Sequence, residues 1–351
     1  MTALRAKRAS SRECKVLAWH FEKPSYSGAI KILGSVPHAC YRFSKGPLAE
    51  IRMTIRASSR KAFEYRTRLT DNRIWDMFAL RQGDVIVATP PKCGTTWTQA
   101  LVLSLLFEKP GMDKVMDDLS VWLDPAFRDQ LPIVRMFEAQ NHRRCIKTHT
   151  PFDGIPFDPD CTYIAVYRHP IDAHFSMRRH VANLKEDLIQ DRFPDKPTAS
   201  FALFVGETVR EEMADGITLE AIVHHFKSFK SNIQHPNIHI FHYADMRRDL
   251  LSHTRKLASV LGLKIDDEML AAIAESMQFE NMQANARASA KEKTQRSTTF
   301  KDPSAFFDSA SSRKWEGKLS DEDLRAFHKR LAELLPEDDA RWLQSGGELT
   351  A

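Results

Sequence analysis

The chain has 351 residues, 42% hydrophobic and 28% charged, enough apolar material for one large core. No stretch approaches the roughly 20 consecutive apolar residues of a transmembrane helix. The five cysteines (14, 40, 93, 145 and 161) contain no CxxC pair, so neither a disulfide framework nor a zinc site is indicated and a cytoplasmic setting fits. The net charge of +5 is concentrated at the start: residues 1–52 hold ten Lys/Arg against three Glu, leaving 41 against 43 beyond. A nearly neutral body gives no reason to expect a nucleic-acid partner.

Residues 1–52 show no sustained period of 2 or 3.6 and are expected to be a disordered basic extension, with residues 53–345 forming one domain. Three explanations of the extension compete: a transit segment in Met1–Arg12, a nonfunctional tail, or an over-long gene start with Met53 as initiator, the last two being favoured. From Asp84 to Thr89 a short β-branched run bounded by Gly83 and Pro90 predicts a strand buried on both faces. A helix over Thr95 to Glu108 follows, stopped by Pro110-Gly111. Further strands are predicted at Arg144 to Thr148, Thr162 to Tyr167 and Asn237 to His242. Helices are predicted at Ile171 to Leu184, Thr198 to Met213, Leu219 to Lys230 and Arg247 to Leu261. This alternation implies an α/β fold with a mostly parallel central sheet and helices on both faces. Glu280 to Trp315, poor in large apolar residues, reads as a long surface loop, and Ser320 caps a last helix ended by Pro336.

The turn Pro90-Pro91-Lys92-Cys93-Gly94-Thr95-Thr96-Trp97 joins the first strand to its helix. A phosphate needs several converging N–H donors, and a strand that turns sharply into a helix supplies them. Gly94 lets the backbone approach a ligand, Thr95 and Thr96 add hydroxyls, and Lys92 adds positive charge. In the common nucleotide loop GxxxxGK[ST] the lysine comes last; here it precedes the glycine by two. Two more polar turns follow predicted strands. Arg168, with Ser176 eight residues on, can converge on one phosphate as a fork and a hydroxyl; taken alone, the pair also fits a salt bridge and a helix-surface serine. His149, beside Lys147, has a side chain whose ordinary pKa suits a general base. His142, His174, His180, His224 and His225 read as structural or solvated.

Pro91 to Trp97 resembles the PKSGTTW motif of the cytosolic-type sulfotransferase family, a P-loop-like α/β fold whose donor is 3′-phosphoadenosine 5′-phosphosulfate (PAPS). The resemblance implies that Lys92, Cys93, Gly94, Thr95 and Thr96 hold the 5′-phosphosulfate, with Lys92 at the leaving oxygen and Trp97 stacked on the adenine. Cys93 stands where the family has Ser, and a thiol is the weaker donor. Tyr167 to Ser176 is similar to RNPxDxxxS, which implies Arg168 and Ser176 on the 3′-phosphate, with His169 in place of Asn. Lys147-Thr148-His149-Thr150-Pro151 is similar to KTHLP, implying His149 as general base and Lys147 as a cation on the sulfuryl group in transit. Tyr243 (in a YEDM-like segment) and Phe279 (in an SFExM-like one) are implied to flank the adenine. Ser312 to Lys318 is the nearest counterpart of RKGxxGDW; Arg313 and Lys314 keep its cation pair, while Trp315 replaces its first Gly.

By this resemblance the chain is a sulfotransferase that moves a sulfuryl group in line to a hydroxyl or amine of a small hydrophobic acceptor, requiring no metal because Lys92 and Lys147 supply the charge. Trp122, Phe127, Phe152 and Phe157 fit an apolar acceptor pocket or, equally, the core. The rivals are a P-loop kinase or NTPase, disfavoured by the absent GxxxxGK[ST], and a catalytically silent nucleotide-binding relative. The family's KxxxTVxxxE dimer motif is absent near the C-terminus, which leaves a homodimer undetermined.

Overall fold

A computed structural model of the chain describes residues 61–114, 116–208, 217–296, 299–302, 312–313 and 315–350, backbone alone at 114 and 289–296. The 1–52 extension, Lys314 and the predicted helical stretch at 209–213 lie outside the described residues.

Four strands form one sheet: β1 (Val85–Ala88), β2 (Cys145–Thr148), β3 (Thr162–Tyr167) and β4 (Ile238–His242). The order is β2-β1-β3-β4 and every pairing is parallel, with Ala88 opposite Thr148, Val87 opposite Ile164 and Tyr167 opposite His242. Period-two alternation sends Val85 and Val87 to one face with Ile164, Val166 and Phe241, and Ile86 and Ala88 to the other with Ile146, Tyr163 and Tyr167. The inner strands β1 and β3 are buried on both faces, which is why they read as largely apolar runs, while the outer β2 and β4 carry Lys147 and His239.

The helices are α1 (Thr95–Leu106), α2 (Met116–Leu119), α3 (Leu131–Glu138), α4 (Pro170–Ala182), α5 (Pro197–Gly206), α6 (Leu219–Lys230), α7 (Tyr243–Arg248), α8 (Leu250–Val260), α9 (Asp267–Ser276), α10 (Phe279–Arg296), α11 (Asp321–Leu334) and α12 (Glu337–Ser345). Leu101 and Leu105 of α1, Leu257 of α8 and Ile273 of α9 cover the Val85 face. Phe201, Phe226, Phe327 and Trp342, from α5, α6, α11 and α12, cover the other. Each such side chain contributes roughly 1.5–3 kcal/mol by burial. The α1 helix is buried nearly all round, and its one long polar side chain is satisfied: Gln99 Nε2 donates to the Ser120 carbonyl at 2.6 Å and to its hydroxyl at 2.9 Å. At the amino-terminal edge Arg144 Nε donates to Asp84 Oδ1 at 2.9 Å with both side chains buried. Removing one partner of such a pair costs about 3–5 kcal/mol, because the other is left as an uncompensated buried charge.

Three expectations need correction. The stretch Glu280 to Trp315 is not a loop throughout: its first half is α10, whose Ala, Gln, Glu, Lys and Arg are strong helix formers even without an apolar stripe. Met282, near the helix start, is buried and anchors it. The single helix over Arg247 to Leu261 is two, because Asp249 leaves the helical conformation (φ −144°, ψ 80°) and caps α8 by accepting from Ser252 N at 3.0 Å. Pro336 ends α11 and also begins α12, a helix the sequence reading did not include. The capping box at Ser320 and Asp323 is present.

Candidate active site

Successive connections run outward in opposite directions from the β1/β3 pair, so the carboxyl ends of these strands open a crevice of the kind where doubly wound sheets hold ligands. The Pro90 to Trp97 turn leaves β1 there. Lys92 has φ 66° and Gly94 φ 109°, a left-handed pair that curls the chain before α1 begins. At Gly94 a Cβ would also stand 3.0 Å from the Tyr243 ring, so both conformation and space require glycine. No side chain caps α1 and its first turn holds no acidic residue, which leaves the helix's positive end for an anion. The Thr89 and Thr95 hydroxyls bond each other across the turn. Cys93 is fully buried in the core beside Arg168, and burial pushes its thiol up to about 12. Its side chain therefore belongs to the core, and only its backbone is at the turn.

His149 leaves β2 beside this turn. Its Nδ1 lies 2.7 Å from the Thr89 carbonyl; a carbonyl only accepts, so Nδ1 carries the proton and Nε2 the lone pair. Burial, then the charge of Lys147, holds its pKa well below the usual imidazole range, against the pull of the Thr89 carbonyl. Trp122 meets His149 edge to face at 4.8 Å, and Lys147 Nζ lies 5.6 Å from the centre of the same indole. Burial brings the Lys147 pKa down to about 8, Asp117 opposing. Behind them, fully buried Asp124 accepts from Trp122 Nε1 at 2.6 Å, Trp75 Nε1 at 2.8 Å, Thr148 Oγ1 at 2.8 Å and Thr150 Oγ1 at 2.7 Å. One carboxylate thus fixes the residues on either side of His149.

On the other flank of the turn, Arg168 ends β3 and its guanidinium lies 4.7 Å from the Tyr243 ring centre. Trp97 meets that ring at 5.3 Å and donates to the Met277 carbonyl at 2.8 Å, two residues before Phe279 opens α10. Trp97, Tyr243 and Arg168 therefore share one wall. Arg168 and Tyr243 also line a cleft of about 730 Å³, together with His169, Arg313, Trp315 and Arg341. Arg313 N donates to Asp172 Oδ1 at 2.7 Å, tying Arg313 to the start of α4. Two departures from the family pattern meet there: the His169 and Trp315 rings lie 6.1 Å apart at 30°. His169 caps α4 by accepting from Ile171 N at 3.2 Å, and burial lowers its pKa to about 4, so the acceptor lone pair stays available.

Ser176 lies on α4, partly buried, eight residues beyond Arg168. Phe152 and Phe157 pack on Tyr163, at the start of β3 and away from its carboxyl end, with Phe229 also against Phe152. Phe152 thus lies in the core and Phe157, partly buried, packs against it. Trp122, by contrast, stands on His149, with Phe127 against it at 5.6 Å. His180, grouped above with the structural histidines, has its Nδ1 3.4 Å from Lys92 Nζ. Asp124 and the Thr89 carbonyl were also missed. His180 had a signal, being one helical turn beyond Ser176; Asp124 had none.

A parallel sheet with a glycine turn and an uncapped helix start at its carboxyl edge, flanked by a histidine and an arginine, is the arrangement of an α/β transferase. The chain belongs to the sulfotransferase domain family, whose model matches residues 82–338. It is 32% identical over 311 residues to a glycolipid sulfotransferase of Mycobacterium bovis (strain BCG / Pasteur 1173P2), covering 80% of this chain and 94% of that one. Its structure is similar to that of mouse sulfotransferase SULT7A1 complexed with PAP (TM-score 0.59, 21% identity, 82% of this chain and 93% of the other). It is also similar to retinol dehydratase in a complex with retinol and PAP (TM-score 0.57, 20% identity, 76% and 84%). These neighbours share the α/β fold, and family membership sets the kinase and NTPase rivals aside. No described helix is long and apolar enough to cross a membrane.

Proposed function

We propose that the chain transfers the sulfuryl group of PAPS to a hydroxyl on a hydrophobic acceptor, with His149 as general base. The observation that carries this reading is the Thr89 contact, which presents a neutral imidazole with its Nε2 lone pair beside the donor loop. His149 Nε2 takes the acceptor's hydroxyl proton as the acceptor oxygen bonds to sulfur. The bond from sulfur to the bridging 5′-phosphate oxygen breaks, and its electron pair leaves with the bisphosphate nucleotide, stabilised by Lys92. Lys147 counters the charge spread over the sulfuryl oxygens in flight. The residues suit the donor: the first turn of α1 takes the phosphosulfate, Trp97, Tyr243 and Phe279 face the base, and Arg168, Ser176, Arg313 and Lys314 answer the 3′-phosphate. PAP, held by both solved neighbours, is the nucleotide that remains when PAPS gives up its sulfuryl group. The M. bovis relative makes a glycolipid hydroxyl the first acceptor to assay, and the Trp122/Phe127 pair supports an apolar one. The poised base, with both lysines beside it, favours an enzyme over a silent relative.

Thermal unfolding with nucleotides tests the donor. A ligand at 100 times its Kd stabilises by about 2.7 kcal/mol, so PAP should raise Tm at concentrations where ATP does not. Preference for ATP would overturn the reading.

The pH dependence follows from the two shifted groups. His149 must be unprotonated, and its lowered pKa puts the acid limb of kcat/KM below the usual imidazole range of about 6.5. Lys147 must be protonated, so kcat/KM for the donor should fall as pH rises through about 8. In kcat the alkaline limb should move upward, because the bound anion favours the ammonium. Lys147→Arg should remove the limb near 8, since a guanidinium keeps its charge. Rate profiles of the wild-type and Lys147→Arg proteins check this; an unmoved limb would exclude Lys147 as its source.

A further inference from the structure

The Lys92 side chain must reach one point over the donor loop, yet it is a flexible four-carbon stem with many rotamers. Its backbone is held in the left-handed region, and its ammonium lies 3.4 Å from His180 Nδ1. An ammonium has only donors, so Nδ1 supplies the lone pair and the ring proton is on Nε2. This is the opposite tautomer to that of His149. Burial, followed by the charges of Lys92 and Lys147, keeps the His180 pKa well below the usual imidazole range, so the lone pair is available throughout the working pH range. The ring itself is braced. Residues 299–302 run antiparallel to the end of α4, with Lys185 N donating to the Thr299 carbonyl at 2.9 Å and Lys301 N to the Asn183 carbonyl at 2.8 Å. That strap sets Phe300 edge-on against His180 at 5.3 Å.

We propose that His180 is a positioning residue for Lys92: through Nδ1 it holds the ammonium over the donor loop, where charge develops as the bond from sulfur to the nucleotide breaks. This rests on the sulfuryl-transfer reading above. His180 touches no reacting atom and moves no proton; it acts through Lys92. A misplacement of about 1 Å in a group that stabilises the transition state can cost as much as 100-fold in rate, so the expected signature is a loss in kcat with donor affinity retained.

The test uses the full-length chain and four variants: His180→Phe, His180→Asn, Lys92→Met and the double variant His180→Phe/Lys92→Met. The carboxamide oxygen of asparagine comes close to the place of Nδ1 and can accept the same hydrogen bond. His180→Phe should lower kcat about tenfold with PAP affinity within about threefold of wild type, and His180→Asn should recover most of the rate. In the Lys92→Met background, His180→Phe should cause no further fall, as two residues acting through one contact are not additive. In histidine-labelled protein the ¹⁵N signal of His180 Nδ1 should move on Lys92→Met. Additive losses, an asparagine variant as slow as the phenylalanine one, or an unmoved signal would overturn the proposal. Wild-type turnover with PAPS separates the two failures: no sulfuryl transfer by the wild type would overturn the reading this rests on, whereas transfer that His180→Phe leaves unchanged would overturn only the positioning role.

Discussion

His149→Ala should lower kcat about 10²–10⁴-fold, the range that general bases contribute, while leaving the affinity for PAP within about a factor of two. The reason is the geometry at the carboxyl edge of β2. The imidazole is tied by Nδ1 to the Thr89 carbonyl at 2.7 Å and backed by Trp122, so Nε2 is the nitrogen left for the acceptor in the proposed mechanism, which assigns the donor's phosphates to the α1 terminus and Arg168. Truncation removes the base without touching those groups. Pre-steady-state turnover together with equilibrium PAP binding measures both halves. Normal turnover in the variant would exclude His149 as the base, and loss of PAP binding would place it in the donor site.

The second large effect belongs to Lys92. Removing one donor that faces developing charge typically costs 10²–10³ in kcat, and the same loss is expected for Lys92→Met. A backbone argument separates this loss from unfolding. Lys92 sits at φ 66°, which costs a non-glycine residue roughly 1–2 kcal/mol. Lys92→Gly releases that strain but gains unfolded-state entropy worth about 0.4–1 kcal/mol, so it should be at least as stable as wild type and as slow as Lys92→Met. Chemical denaturation and steady-state rates on one preparation check this. A glycine variant that is both fast and stable would show that the ammonium is not needed.

Much of this site was legible in the sequence because its elements carry local signals. The two inner strands, VIVA and TYIAVY, are apolar runs rich in β-branched residues, a consequence of burial on both faces, and the predicted Thr162 to Tyr167 strand matches residue for residue. The turn at Lys92 to Thr96 was readable because Gly94 and the two threonines stand between a buried strand and a helix. What escaped is what depends on packing between distant segments. Asp124 lies 24 and 26 residues from the threonines it holds, and nothing around Trp122-Leu123-Asp124 marks its carboxylate as a hub. His180 reaches Lys92 across 88 residues, so fourteen histidines gave no ranking beyond its spacing from Ser176. Phe152 and Phe157 have the composition of a pocket, and only their packing on Tyr163 shows that Phe152 lies in the core and Phe157 against it. The α10 helix was missed for the converse reason: its propensity is high but its apolar anchor is confined to one end, so a period-based reading saw a loop. The surroundings of Trp315 were the least readable part, since a tryptophan in place of a glycine makes sense only once it is seen against His169.

The most direct test of sulfuryl transfer follows the sulfur itself. The full chain is incubated with PAPS labelled with ³⁵S in the sulfuryl group and with a glycolipid or a simple phenol. Label should pass to the acceptor with one PAP formed per sulfated molecule, and His149→Ala should stop both. Label that never leaves the nucleotide with any acceptor, while ATP donates a phosphoryl group under the same conditions, would show that the loop at Lys92 serves a different reaction.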